Sequence, residues 1–454
     1  MTDSTTLGID RIGAAERIAS LDVMRGIAIL FILFMNLPWM AHYAPAMNDP
    51  RLVSWTRFDE AGFSFMMLLS GTQRGLLEIL FGAGIIIMAR RAMTPDGPVA
   101  VADLHYRRNL LLIAFGLLNA LVLLWGGDIL LPYGLAALLL FHCRLWRPRT
   151  QMIAAALFLA AATVPGVLHY AERVEARAAA AEAEAAKAAG RPVSDKLKAR
   201  AEEWQKAVRN VGPISQDAEK QKQAAEIHAA RMAPLPTYAV AGWADWLMLF
   251  QPGIFFPVMA EIIGTMLLGM ALFQLGVVQG RAKRSTYLAM VAGGYGLGVT
   301  LRILGLQEIL AFTPIPKLWW VTQDLARIAI VLGHIGLVHL LLGAAAGRAV
   351  LAPFQAAGRM PLTVYLFTSF LTMWLLFPGF GLGWHGRWGF GGMMVCAAAI
   401  VAGELVAANL WMSRFETGPM EWIWKSLAYQ RRMAFRRRPA EPGPDLPAAA
   451  VPAE

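Results

Sequence analysis

The chain has 454 residues, 57% of them hydrophobic and 16% charged, with a mean hydropathy of +0.49 and a formal net charge of +10. A soluble protein could not hide that much apolar surface, so the composition describes an all-α, polytopic membrane protein whose first partner is the lipid bilayer. Two cysteines, Cys143 and Cys396, argue against a disulfide framework or a thiolate metal site, and the basic balance fits anionic headgroups, at about 1 kcal/mol per residue, rather than nucleic acid.

Ten apolar runs are long enough to cross a hydrocarbon core of about 30 Å. They fall near 22–43, 62–89, 109–126, 129–146, 150–169, 253–279, 285–306, 319–346, 361–378 and 391–412. About twenty polar residues precede the first run, which is too long for the apolar part of a cleavable signal and is expected to remain as a span. Basic residues gather at alternate ends of the runs. They are Arg11, Arg17 and Arg25; Arg90, Arg91, Arg107 and Arg108; Arg144, Arg147 and Arg149; Arg281, Lys283 and Arg284; Arg348 and Arg359; and Arg431, Arg432, Arg436, Arg437 and Arg438. The positive-inside rule makes these ends cytoplasmic and, with an even number of spans, puts both termini there. The resulting organisation is a membrane half over 1–170, a charged Ala-rich helical insertion on the outer side over 171–235, a second membrane half over 236–430, and a basic, then Pro/Ala-rich, tail over 431–454 that reads as disordered.

In chain order, the first chemical feature is LDVMRG at 21–26, where Asp22 and Arg25 share one helix face at the start of the first span and can pair. A charged pair there is costly unless it anchors the topology or binds something. His42 closes the same span at its outer end. Arg74 and Glu78 stand i,i+4 in span two, and GGD at 126–128 reads as a tight outer turn whose Asp128 either caps the next helix or faces His42 across the outer surface. In the insertion, GRP at 190–192 and GP at 212–213 separate three helices, the later two opened by Ser194 and Ser215; mixed charges suit a solvated hairpin that serves as a spacer or as a cap over a substrate entrance. GWADWLMLFQPGIFFP at 242–257 reads as an interfacial helix anchored by Trp243 and Trp246.

Further ionisable residues lie inside spans: Glu261, Arg302, Asp324, Arg327 and Glu404. Pairing in the bundle interior is the bland expectation for each, and Asp324 with Arg327 can pair locally at i,i+3. Asp128, Glu261, Arg302 and Glu404 need partners from other helices and are the stronger functional candidates. His334 and His339 are five apart and do not stack as an i,i+4 metal pair would, while His385 falls in the outer loop before the last span. GR-x-PLT at 358–363 opens span nine with Arg359 at its cytoplasmic end, Pro361 in the first turn, and Thr363 and Tyr365 offering hydroxyls. The chain carries no glycine-rich phosphate loop, nucleophile elbow or zincin motif.

Five blocks carry a family resemblance: RIASLDVMRGIAILFILFMN at 17–36, QRGLLEILFGAGIIIMARR at 73–91, YRRNLLLIAFGLLNALVLLWGGDILLPYGL at 106–135, GRMPLTVYLFTSF at 358–370 and GPMEWIWKSLAY at 418–429. In this order they resemble the YeiB-like family of bacterial inner-membrane proteins, domain of unknown function (DUF) 418. More distantly, the opening R-x-x-x-LD-x-x-RG-x-A is similar to membrane-bound acyltransferases of the heparan-glucosaminide acetyltransferase type. That resemblance implies an acyl-CoA donor from the cytosol and an envelope glycan or lipid acceptor on the far side, with the catalytic histidine after the first span, where His42 stands. On this reading His42 acts with Asp128 or Glu261, and Arg25 attracts the donor phosphates together with Arg90, Arg91, Arg107 and Arg108. Asp22, Arg74, Arg302, Asp324, Arg327, Arg359 and Glu404 are the other candidate substrate-binding residues. The alternative from another class is a transporter or exporter of a small metabolite or lipid, suggested by charges inside spans, GGYGLG at 293–298, and Pro252 and Pro257. A third is a membrane scaffold acting through the insertion helices.

Overall fold

A segment inside lipid must satisfy its own backbone hydrogen bonds, so long apolar runs fold as helices. The computed structural model describes residues 19–42, 46–47, 49–89, 99–211 and 218–437. Among these residues the chain is all-α, with an isolated bridge pairing Phe415 and Arg436. Arg11, Arg17, Arg90, Arg91, Ser215, Arg438 and the tail beyond 437 lie outside the described residues.

The helices are α1 (Ala19–Phe31), α2 (Leu33–Ala41), α3 (Arg57–Leu69), α4 (Thr72–Ala89), α5 (Val99–Leu121), α6 (Leu130–Leu140), α7 (Pro148–Ala188), α8 (Asp195–Asn210), α9 (Ala218–Met232), α10 (Leu235–Met248), α11 (Pro252–Gln274), α12 (Arg284–Leu310), α13 (Trp319–Leu342), α14 (Ala345–Arg359), α15 (Pro361–Phe370), α16 (Phe390–Arg414) and α17 (Pro419–Ala428). Among the described residues seven stretches are long and apolar enough to cross a membrane: α1 with α2, α3 with α4, α7, α11, α12, α13 and α16. The runs near 129–146 and 361–378 form shorter apolar helices, Leu130–Leu145 and Pro361–Leu376, the second passing into a π turn at Leu371–Leu376. The run at 109–126 lies largely in α5, which begins further back and carries Asp103, Arg107 and Arg108 within its length.

The first and second candidate spans and α11 are the most buried; α7 and α12 lie at the periphery. α1 crosses α14, α4 crosses α11, and α12 lies along α13. At the first crossing Gly26 faces the Phe354 carbonyl and Gly358 faces the Asp22 carbonyl so closely that a Cβ on either would overlap the opposing backbone. This is the small-residue contact that lets membrane helices approach backbone to backbone.

The change of composition at Ala171 is not a structural boundary. α7 runs unbroken from Pro148 to Ala188, through Pro165, over about 60 Å. Gly190, at a φ of 65°, turns the chain, and Ser194 caps α8 by accepting from the Leu197 amide at 3.3 Å, so the expected hairpin forms. α9 then returns to the bundle. The Gly379 amide donates to the Arg231 carbonyl (3.2 Å) and the Gly386 amide to the Ala41 carbonyl (2.9 Å), which holds the 377–389 loop between α9 and the end of α2.

The Gly358→Ala variant is expected to destabilise the protein by about 1–3 kcal/mol or more, because the obstruction is backbone. Gly296→Ala, with open space around it, should lie within about 1 kcal/mol of wild type. Thermal unfolding in detergent distinguishes the two.

Candidate functional site

Three polar assemblies lie along the bundle. At the end where α1 begins, α1, α4, α5, α6, α15 and α17 enclose a cavity of about 290 Å³. Its rim carries Asp22 and Arg25 of α1, Arg108 of α5, Arg359 at the end of α14, and Glu421 and Lys425 of α17. Its walls are apolar, among them Ile29, Leu77, Leu80, Leu112 and Leu130, and Tyr133 and Tyr365 lie among the buried lining.

The LDVMRG pair forms as its spacing requires: Arg25 Nη1 donates to Asp22 Oδ1 at 3.0 Å, and also to the Gly358 carbonyl at 3.3 Å. Arg359 donates to the Glu416 carbonyl (3.1 Å), Lys425 to Thr417 Oγ1 (3.3 Å), and the Arg108 guanidinium lies 4.4 Å above the Trp424 ring. Glu421 is committed to structure, since it accepts from the amides of Leu362 (2.5 Å) and Thr363 (3.1 Å) and from Thr363 Oγ1 (2.5 Å), capping α15 from α17. The rim therefore sets four cations against two carboxylates, Asp22 paired with Arg25 and Glu421 engaged by α15. Arg107, expected at the same rim, instead pairs with Asp103 and donates to the Ala428 carbonyl at 3.3 Å.

Asp128 lies behind the deep end of this cavity. Its carboxylate accepts from the Leu131 amide (2.8 Å) and from Asn119 Nδ2 (2.9 Å), so it caps α6, and burial pushes it up to about 7. The adjoining Ile129 amide donates to the Tyr365 hydroxyl at 3.1 Å.

The second assembly is an ionic cluster within the bundle. Arg74 pairs with Glu261 across α4 and α11, and Arg327 of α13 pairs with both Glu261 and, at 3.1 Å, Glu78. The local pairs expected from spacing are present but longer, 3.8 Å for Arg74 with Glu78 and 3.7 Å for Arg327 with Asp324. Tyr133 donates to Glu78 Oε1 (3.3 Å), which ties the cluster to the cavity wall. Arg302 stands beside it, donating to the carbonyls of Ser70 (2.7 Å) and Gln323 (3.3 Å), with its guanidinium 4.5 Å from the Trp319 ring. Glu404 is apart from all of these and accepts from Thr368 Oγ1 at 2.5 Å.

The third assembly is at the opposite end, about 25 Å from Arg25 along α1 and α2. His42 Nε2 lies 2.6 Å from the Trp388 carbonyl. A carbonyl only accepts, so Nε2 carries the proton and Nδ1 is the basic nitrogen of neutral His42. His385 stands with its ring centroid 6.4 Å from that of His42, and its Nδ1 is 3.2 Å from Nδ1 of His228, which projects from α9. His42, His228, Ser54 and Arg387 line a second cavity of about 320 Å³. Among the described residues no group of three His, Cys, Asp or Glu side chains is arranged to hold a metal ion.

The structure thus gathers Asp22, Arg25 and Arg359 at one cavity, and Arg74, Glu261, Asp324 and Arg327 in one cluster with Arg302 alongside. Asp128 and Glu261, expected beside His42, have their carboxylates engaged elsewhere, by the α6 N-terminus and by Arg74 and Arg327. His334 and His339 are engaged separately, at Nδ1 by the Tyr295 hydroxyl (2.8 Å) and at Nε2 by the Val278 carbonyl (3.1 Å). Sequence reasoning missed His105, Lys425 and Glu421 at the first cavity and His228 at the second. Lys425 and Glu421 sit in the GPMEWIWKSLAY block, which was a usable signal; His228, in a solvated Ala-rich helix, gave none.

Removing one member of a buried ion pair leaves the others uncompensated, so Arg327→Met is expected to cost about 3–5 kcal/mol in detergent unfolding. A second expectation concerns pH. Burial, with Arg231, His42 and His228 nearby and Arg231 itself paired to Asp245, pushes His385 down to about 3. Released from its site, His385 would bind a proton below about 6.5, whereas the docked form does not, so docking of α9 on the 377–389 loop weakens as pH falls through that window. Hydrogen exchange of 377–389, corrected for intrinsic rates, should rise between pH 7 and pH 5, and His385→Asn should flatten the rise.

Residues 272–431 match the family model described as "Protein of unknown function (DUF418)". The chain is similar to the uncharacterized protein YxaH of Bacillus subtilis (strain 168), 26% identical over 433 residues, which covers 91% of this chain and 94% of the relative. It is likewise similar to the uncharacterized protein YeiB of Escherichia coli (strain K12), 25% identical over 440 residues, covering 91% and 96%. No solved structure matches the chain. The family model's range contains the GRMPLTVYLFTSF and GPMEWIWKSLAY blocks, and each of the two relatives matches 91% of the chain: the chain is similar to the YeiB-like DUF418 proteins along most of its length.

Proposed function

We propose that this protein is a multi-pass inner-membrane acyltransferase that receives an acyl-CoA donor at the Arg25 cavity on the cytoplasmic side and delivers the acyl group to an acceptor on the outer side, near His42. The observation that supports this reading is the cavity itself: the LDVMRG motif opens onto a rim of Arg25, Arg108, Arg359 and Lys425 above apolar walls. Such a rim suits phosphate, for which arginine forks offer paired donors, and the walls suit an acyl chain or an extended thioester arm. At about 290 Å³ the cavity is at the lower edge of the ~300–1,000 Å³ usual for small-molecule sites, so a nucleotide portion would remain at the rim. At the other end, the hydrogen bond to Trp388 sets the tautomer of His42 that a general base requires, a role worth about 10²- to 10⁴-fold in rate.

A second reading, export of an anionic lipid or metabolite, is favoured by the cluster of Arg74, Glu78, Glu261, Asp324 and Arg327 between the two ends, since ionisable groups inside a bundle are what transporters use. Labelled acyl-CoA and protein in nanodiscs separate the readings. Arg25→Ala is expected to weaken donor binding about tenfold, the effect of one lost charge-assisted hydrogen bond, and Arg25→Lys to restore it only in part. Undiminished binding by Arg25→Ala would remove the motif from the site, and movement of label across the membrane without transfer would favour export.

A further inference from the structure

The pocket at the His42 end brings together residues from three distant parts of the chain: His42 at the end of α2, His385 and Arg387 in the 377–389 loop, and His228 on α9 of the insertion. Its position is fixed from both sides, by the Gly386 amide on Ala41 and the Gly379 amide on Arg231. His42, on the pocket lining, and His385, which stands behind it against His228, are each 3% exposed.

We infer that this pocket is the acceptor site, that the acceptor it takes is a sugar hydroxyl, and that the insertion supplies one wall of it through His228. The inference rests on the acyl-transfer reading above. Three observations select the acceptor class. First, the lining includes the cation Arg387 and no carboxylate, so nothing there offsets the charge of a protonated amine. Asp59, which lies behind the lining residue Ser54, is occupied by Ser54 Oγ (2.9 Å), Thr56 N (3.0 Å), Thr56 Oγ1 (2.8 Å) and Gly391 N (3.1 Å). Second, Trp388 lines the pocket and packs on Trp384 at 5.0 Å, a paired aromatic surface whose negative faces attract the polarised C–H edges of a sugar ring. Third, the 3.2 Å Nδ1 to Nδ1 approach of His228 and His385 makes one ring donate and the other accept, so His228 is held in place as a wall of the pocket. In the transfer, which requires the thioester arm to extend from the Arg25 cavity to the His42 end, the acceptor oxygen bonds to the thioester carbonyl carbon as the C–S bond breaks. The hydroxyl proton passes to His42 Nδ1 and then to the departing thiolate, giving an ester and free CoA.

The test uses the full chain in nanodiscs with radiolabelled acetyl-CoA as donor and two acceptor probes, maltopentaose and a glucosamine pentamer, alongside calorimetric titration of CoA and of maltopentaose. Two variants probe the wall: His228→Ala, and Ala225→Trp, which fills the pocket from an exposed position of α9. Both are expected to lower transfer to maltopentaose at least about tenfold, the loss of one hydrogen-bonding or shape-defining wall, while CoA binding stays at the wild-type value. His228→Gln should also shift the acid limb of the pH–rate profile, which a merely structural loss would leave in place. Wild-type transfer by both variants, or preferential transfer to the glucosamine pentamer, would overturn the assignment. If the wild type binds maltopentaose in a manner abolished by Ala225→Trp but transfers nothing, the sugar site stands and the acyl-transfer reading falls. If it neither binds nor acylates maltopentaose, the sugar site falls.

Discussion

α1 and α14 touch through bare backbone at Gly26 and Gly358, and the composition of the cavity rim follows from that contact. Because no side chain separates the helices, Arg25 reaches the Gly358 carbonyl while keeping Asp22, and Arg359 is placed one residue along the same edge. α15 starts just beyond, and its free amides are taken by Glu421, which fixes α17 and thereby Lys425 and Trp424. Arg108 is held from the other side by stacking on Trp424. Four cations from four separate segments converge, and Arg25 and Arg359 meet because one crossing is closer than any residue but glycine allows.

Deeper in the bundle the stabilising logic differs. Arg74, Arg327, Glu78, Glu261 and Asp324 are taken out of water in a place where desolvation costs several kcal/mol per ion, and their mutual pairing offsets that only while every member is present. The cluster links α4, α11 and α13, and Tyr133 joins it to the wall of the cavity. Ionisable groups linking three helices inside the bundle are the reason export is the reading to test against transfer.

Much of this was legible in the residues. The apolar runs became helices, the i,i+3 and i,i+4 charge pairs formed, Asp128 capped the helix that follows it, and Ser194 opened α8. What could not be read was pairing between helices. Arg74 with Glu261 and Arg327 with Glu78 leave no periodic trace, so the stronger partner of each arginine was hidden behind the weaker local one. The boundary at Ala171 misled for a plain reason: Ala, Glu, Lys and Arg are all good helix formers, so a change from apolar to charged alters where a helix lies without ending it. His228 was invisible because a lone histidine in a solvated helix carries no pattern; only the return of α9 to the 377–389 loop gives it neighbours.

The central claim is that the motif-built cavity holds an acyl donor, and a photoactivatable acyl-CoA tests it most directly. After irradiation in nanodiscs, mass spectrometry of the labelled peptides should find adducts on α4 and α6 around Leu80 and Leu130, removed by excess unlabelled acyl-CoA. Adducts confined to the outward face of α7, unaffected by competitor, would mean that the probe merely dissolves in the surrounding lipid, and the account would be contradicted.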